Sequence, residues 1–206
     1  VAIIKSGASS DNASVGVTSK GLYVELVDSA GGILKNKKTY VASGSFTPPA
    51  TPQDLVFITG SATKTVRVQS FKLGTANTAA GSQILFLNKH SAAPTGGTEV
   101  APTKVPLDSS DAAATAVVKH VTTSANTPGT LVGLVATRKI GSPAVTPATW
   151  AGINTTDNDV EMLPTSGDQV KPITLRAATE VLAINFAGTA LVAGQIHTYT
   201  VVWTEE

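Results

Sequence analysis

The end of the chain limits the fold more than any other stretch. From Pro172 it reads PITLRAATEVLAINFAGTALVAGQIHTYTVVWTEE. Leu182, Ile184 and Phe186 alternate with Val181, Ala183 and Asn185, and Ile196, Thr198, Thr200 and Val202 alternate with His197, Tyr199, Val201 and Trp203. Strand side chains point to opposite faces in turn, so two runs of period two with Gly188 and Gly194 between them predict antiparallel strands joined as a closing hairpin. A last strand that runs to the terminus needs partners from upstream, and that makes this a sheet protein.

Upstream runs supply those partners. Residues 40–46 precede a connection marked by Pro48, Pro49 and Pro52, which cannot donate to a ladder. DLVFIT (54–59) and TKTVRVQSFKL (63–73) flank Gly60, Ser61 and Ala62 and read as a second hairpin, with Val66 and Val68 facing away from Arg67, Gln69 and Phe71. Residues 83–89, 130–139, 171–175, 180–186 and 195–204 are further strands. The segment 109–122, SSDAAATAVVKHVT, opens like a helix capped by Ser109 or Ser110, but the β-branched Val117, Val118, Val121 and Thr122 favour a turn and then a strand. The long, Pro- and Gly-rich stretches 91–106 and 144–164 read as loops with a functional or interfacial role. A total of about nine or ten short strands with Gly/Pro turns predicts an all-β, antiparallel β-sandwich, and the long crossings make it jelly-roll-like.

Residues 1–38 have a different texture from the sandwich expected over 39–206. Gly7 to Ser14 is small and polar, too poor in apolar side chains to offset the entropy of ordering. Leu22, Val24 and Leu26 then alternate with Tyr23, Glu25 and Val27 to give one strand, followed by the turn DSAGG at 28–32. A single strand cannot stand alone. It either joins the main sheet as a first strand or acts as an extended N-terminal arm that docks on a neighbouring molecule through Leu22, Tyr23, Val24 and Leu26.

Charge removes several function classes. The chain has 15 Lys+Arg against 14 Asp+Glu and a net charge of +1, without the concentrated basic field that displaces counterions from phosphates. Its densest basic run, Lys35, Lys37 and Lys38, adjoins a turn and reads as a solvated connection. Charged residues make up only 14% of the 206 residues, against about 25% in ordinary globular proteins. Thr, Ala, Ser and Gly take their place, as suits outer faces pressed against other proteins. With no cysteine, disulfides and Cys-ligated zinc are excluded. Apolar runs far short of a membrane span, and no charged segment leading into an apolar one, predict a soluble chain that is not processed for secretion.

No motif points to catalysis. His90, His120 and His197 lie far apart, with no H-x-H or H-E-x-x-H spacing, and read as ordinary strand histidines. Asp108–Asp111 (DSSD) and Asp157-Asn158-Asp159 offer oxygen ligands in loops but match turn chemistry rather than an EF-hand. Serines occur in no G-x-S-x-G context, and no phosphate-binding G-x-x-x-x-G-K-[ST] is present. Tyr23, Tyr40, Trp150, Tyr199 and Trp203 are able to stack on sugars, but aromatics on alternating strands belong more often to cores.

The runs ITGSATKTVRVQSFKLGT (58–75), GGTEVAPTKVPLDSSDAAATAVVKHVT (96–122) and KPITLRAATEVLAINFAG (171–188), with the terminal VVWTEE, together resemble virion structural proteins of tailed bacteriophages. These are small β-sandwich proteins that decorate heads or form fibres and adaptors. The resemblance covers most of 39–206 and rests on a phrase pattern, not a chemical motif; residues 1–38 also look like the strand-bearing arms of such proteins. It implies a non-enzymatic capsid decoration, or cement, protein without a cofactor. Such a protein is made in the host cytoplasm, self-associates as a homotrimer, and binds across junctions of the major capsid protein on the virion surface, with neither nucleic acid nor membrane as partner. The alternative it implies is a head or tail fibre or adaptor module that binds host-surface glycan, or another virion protein, through residues 91–106 and 144–164.

Overall fold

The structure is a computed structural model that describes residues 15–18, 21–24, 37–49, 54–76, 79, 81–142, 159–163, 172–186 and 195–206. The chain divides into two compact units, Val1–Lys37 and Lys38–Glu206.

In the first unit β1 (Val15–Thr18) pairs antiparallel with β2 (Gly21–Val24) as a two-stranded sheet of its own. The sequence suggested one unaccompanied strand here. Gly16 within VGVT hides the partner, because a four-residue run holding a glycine carries little apolar alternation. In register, Val15 lies opposite Val24, Gly16 opposite Tyr23 and Val17 opposite Leu22. Leu26 lies outside the described residues.

The second unit contains β3 (Lys38–Phe46), β4 (Asp54–Thr59), β5 (Val66–Ala76), β6 (Gly81–His90), β7 (Glu99–Val100), β8 (Lys104–Pro106), β9 (Val117–Val121), β10 (Leu131–Ser142), β11 (Val160–Glu161), β12 (Ile173–Leu175), β13 (Val181–Asn185) and β14 (Ile196–Glu205). It is an all-β sandwich of two antiparallel sheets. The first sheet has the order β10-β6-β13-β4-β9-β7; the second has β11-β5-β14-β3-β8, with β12 also on β5. The pairings nest: β6 with β10, β5 with β11, β4 with β13 and β3 with β14. Within the β6–β10 connection, β9 extends the first sheet beside β4 and β8 extends the second beside β3.

This winding corrects two expectations. Neither β4 and β5 nor β13 and β14 form hairpins, since each pair splits between the sheets. The link 60–65, with Gly60 at its start, crosses from one sheet to the other, so that each sheet supplies a wall of the same core. The strand total also exceeds nine or ten, since β7 and β8 lie in the stretch read as loop and β11 in the other long stretch. Segment 109–122 does turn and then enter β9.

The core between the sheets gathers Val56, Ile58, Leu85, Leu87, Leu182 and Ile184 from one side and Tyr40, Val66, Val68, Phe71, Leu73, Val201 and Trp203 from the other. Phe71 was expected on the face opposite Val66 and Val68, yet all three are buried together. A register shift between Val202 and Trp203, which face Ser70 and Val68, leaves Gln69 unpaired, and one extra residue flips every later side chain to the other face.

The sheets differ on their outer faces. The second presents Ser43, Ser45, Thr198, Thr200 and Lys72 outward, with Ser43 Oγ and Thr200 Oγ1 3.2 Å apart. The first buries a separate apolar layer of Phe57, Val121, Val181 and Ala183. Its middle strands are therefore apolar on both faces, which explains the unbroken run in DLVFIT.

Candidate functional site

Polar groups collect at three places in the sandwich, each set by strand register. At one end of β14, the inward alternation of Tyr199, Val201 and Trp203 continues to Glu205, whose side chain is fully buried. Its carboxylate accepts from Thr115 N (2.9 Å), Ala116 N (2.9 Å), Thr115 Oγ1 (2.7 Å) and Trp203 Nε1 (3.1 Å), and pairs with Lys64 Nζ at 3.2 Å. Burial pushes its pKa up, but the donors from Ala116, Thr115 and Trp203 outweigh burial and hold it at about 2. Tyr40 OH donates to Ala112 O (2.9 Å), and Lys104 Nζ to Ala114 O (2.9 Å) and Ala116 O (2.8 Å). Segment 112–116, which leads into β9 of the first sheet, is thus fastened to β3, β8 and β14 of the second.

The second group lies inside the sandwich around Phe46, whose ring centroid is 5.0 Å from that of His120 and 5.6 Å from that of His197. His120 Nδ1 meets Tyr199 OH at 2.9 Å, and burial lowers its pKa. His197 is fully buried, and its Nδ1 lies 3.2 Å from Gly74 O. A carbonyl only accepts, so Nδ1 carries the proton; Nε2 has no hydrogen-bond partner among the described residues. The ring is therefore neutral, and burial, opposed by the Gly74 bond, pushes its pKa down to about 4. Nearby, Gln83 Nε2 donates to Gln195 Oε1 (2.9 Å), and Gln195 Nε2 donates back to Gln83 and to Thr75 Oγ1 (3.2 Å).

A depressed imidazole pKa fixes the sign of the pH dependence. The contribution of His197 is complete above the unfolded value near 6.5 and is lost as pH falls toward about 4, at most on the order of 3 kcal/mol. Urea titrations from pH 7 to pH 4 are expected to show this loss, and His197→Gln to flatten it. An unchanged slope in that variant contradicts the assignment.

The third group is on the outer face of the first sheet. Asp54 Oδ2 lies 3.4 Å from His90 Nε2, Asp54 Oδ1 accepts from Asn185 Nδ2 (3.1 Å), and His90 Nδ1 faces Gly129 O at 3.0 Å. An Asp–His pair invites comparison with a catalytic dyad, but a dyad keeps one ring nitrogen for a nucleophile or substrate. Here Nδ1 is on Gly129 O, and Nε2 is buried at 3.4 Å from Asp54 Oδ2 without a hydrogen bond between them, so neither nitrogen is open to a nucleophile or substrate and the geometry serves to hold structure.

The structure separates the three histidines, with His90 on the outer face and His120 and His197 inside. Among the described residues no group of three or more His, Asp and Glu side chains is placed to hold a metal ion. Asp108 closes an exposed turn by accepting from Ser110 N (2.9 Å) and Ser110 Oγ (2.7 Å), which lower its pKa. Asp157, Asn158 and Trp150 lie outside the described residues. Glu161, from the same acidic run as Asp159, caps backbone: its Oε1 accepts from Phe71 N (2.9 Å) and Leu163 N (3.1 Å). Tyr40, Tyr199 and Trp203 are buried and belong to the core. Of the four arm residues expected at an interface, Leu22, Tyr23 and Val24 are in β2.

The sequence did not point to the sheet edges. Among the described residues the exposed large apolar side chains are Ile84, Val100, Val105, Leu107, Leu131, Val132, Leu134 and Ile196. Val100 is on β7, Val105 on β8, Leu107 just beyond it, and Leu131, Val132 and Leu134 on β10. Strands β7, β8 and β10 are edge strands, and Ile84 is on β6, next to β10. An edge already exposes unpaired backbone N–H and C=O groups, so apolar side chains there form a surface suited to another protein. The signal was present in LVGLV, which continues past strict alternation where β10 shifts register at Val132 and Val135.

No family model, curated protein or solved structure matches the chain.

Proposed function

We propose that the protein is a non-enzymatic structural component of a tailed-phage particle, a capsid decoration protein that binds across junctions of the major capsid protein and stabilises the head. The observation that carries this reading is the concentration of exposed apolar side chains on the edge strands β7, β8 and β10. Protein contacts exclude charge at their centres, and these positions combine apolar area with open backbone. The outer face of the second sheet supports the same role, since Ser43, Ser45, Thr198 and Thr200 lose little solvation when covered.

The nested winding of β3–β6 against β10, β11, β13 and β14 supports a jelly-roll reading, but jelly rolls also serve as lectins, and fold alone does not choose a function. The glycan-binding alternative rests on residues 91–106 and 144–164, and Tyr40, Tyr199 and Trp203, buried in the core, add nothing to it. In the decoration reading a homotrimer gathers three copies of each weak contact, so that avidity replaces individual strength. The arm bridges neighbouring subunits through Leu22, Tyr23, Val24 and Leu26.

Leu134→Lys tests the edge directly. Leu134 is 53% exposed, so the variant is expected to keep its melting temperature while losing at least tenfold in affinity for heads grown without this protein. Equal co-sedimentation of variant and parent removes β10 from the contact. Deletion of residues 1–38 is expected to weaken the same binding, and undiminished binding rejects the bridging arm.

A further inference from the structure

Two arms of the β6–β10 connection form a ribbon. Ser91 N donates to Thr130 O (2.9 Å), Thr95 and Thr127 exchange backbone bonds of 3.0 and 2.8 Å, Thr98 N donates to Ser124 O (3.2 Å) and Thr122 N to Thr98 O (2.9 Å). The arms pack closely enough that a Cβ on Gly129 collides with Ala92 O, and one on Gly97, at φ +74°, meets Asn126 N at 2.9 Å. This ribbon reaches the outer face of the first sheet through two polar contacts. Asn126 Nδ2 donates to Asp54 O (3.2 Å), and Gly129 O faces His90 Nδ1 (3.0 Å).

We propose that the charged His90–Asp54 pair is a protonation-dependent latch that fastens the 91–98/122–130 ribbon to the outer face of the first sheet, closed while the imidazole is protonated and loosened when it loses its proton. His90 Nδ1 faces a carbonyl and Nε2 faces a carboxylate at 3.4 Å, and both oxygens only accept. An imidazolium donates to Gly129 O through Nδ1 and sets its positive charge 3.4 Å from the Asp54 carboxylate, where no hydrogen bond joins the two. A neutral ring has one N–H, so it either keeps Gly129 and turns a lone pair on Asp54, or turns its N–H on Asp54 and a lone pair on Gly129 O. Neither nitrogen has water to fall back on, since the His90 and Asp54 side chains are 2% and 0% exposed.

Among the described residues Asp54, from β4, is the one ionisable group facing the ring. In register His90 is opposite Val181 of β13 and Leu131 of β10, and the ribbon contributes the uncharged Asn126 and Gly129. The adjacent Lys89 is turned the other way and lies 3.9 Å from Glu180. The neighbouring Asp54 carboxylate raises the His90 pKa against the opposing effect of burial. A raised folded-state value means that the latch is fully engaged below the unfolded value near 6.5 and is lost as pH rises through the folded value. The device is independent of the role in particle assembly.

The test is an NMR titration of the three imidazoles in the full chain, combined with amide exchange at Ser91, Thr95 and Thr127 corrected for intrinsic rates. His90 is expected to titrate above 6.5. Ribbon protection is expected to fall above that midpoint, by about tenfold for each unit by which the latched pKa exceeds that of the freed side chain, while amides of β14 do not change. Asp54→Asn is expected to bring the His90 midpoint below 6.5 and remove the pH dependence of the ribbon. If that variant does not fold, the parent protein still decides the matter. A His90 midpoint at or below 6.5, or ribbon protection equal on both sides of a raised midpoint, overturns the latch.

Discussion

Replacing Glu205 by Ala is expected to lower the free energy of unfolding by about 3–5 kcal/mol, the range for removing one partner of a buried ion pair. The substitution strands Trp203 Nε1 and the N–H groups of Thr115 and Ala116 in a site without a replacement acceptor, and frees the Lys64 ammonium. Lys64 is 27% exposed and recovers water, so most of the loss comes from the orphaned donors. Glu205→Gln retains one accepting oxygen but turns an amide N–H₂ toward donors, and about half the loss is expected. Protonation produces the same defect. Because the Glu205 pKa is depressed to about 2, its contribution is complete above the unfolded value near 4.3 and is lost as pH falls through about 2. Urea denaturation across pH 5 to 2 is expected to be steeper in the parent than in Glu205→Gln. Identical profiles mean that the carboxylate is not the acid-sensitive group.

Phe57→Ala is expected to cost about 3–5 kcal/mol, as for a large aromatic in a core. In a sandwich with open outer faces Phe57 is on the solvent side, where the loss is about 1 kcal/mol, the full span of strand propensities. It is instead 2% exposed, lies opposite Ala183 of β13 and Lys119 of β9, and packs in a layer with Val121 and Val181. The measurement is the shift in urea midpoint at constant m-value. A loss of about 1 kcal/mol or less means that this face is open in solution.

These two residues also show how far the sequence carries. The alternation of His197, Tyr199, Val201 and Trp203 was legible, and extending it by one step places Glu205 on the inward face. A terminal TEE nevertheless reads as solvated charge, because the groups that donate to the Glu205 carboxylate come from residues 115 and 116, far away in sequence. Phe57 was legible as apolar but not as doubly covered, since period two says which residues share a face and nothing about what lies over it. The same gap turned two sheet-crossing links into apparent hairpins: a strand's periodicity is local, and its partner is not. Gln69 is a further case, because a single unpaired residue reverses the face of Phe71 without altering composition. For the candidate site, the arm residues of β2 came from a local pattern, whereas the apolar edges of β7, β8 and β10 required the strand order. The His90–Asp54 pair joins strands that meet only through β13, so no spacing in the chain announces it.

Under the proposed function this sandwich acts by binding other copies of itself and the capsid lattice. The most direct test is the solution mass of the full chain by light scattering, followed by sedimentation with heads grown without the protein. The account predicts a stable trimer that pellets with the heads at saturable stoichiometry. A monomer, or an oligomer left in the supernatant while the heads pellet, contradicts it.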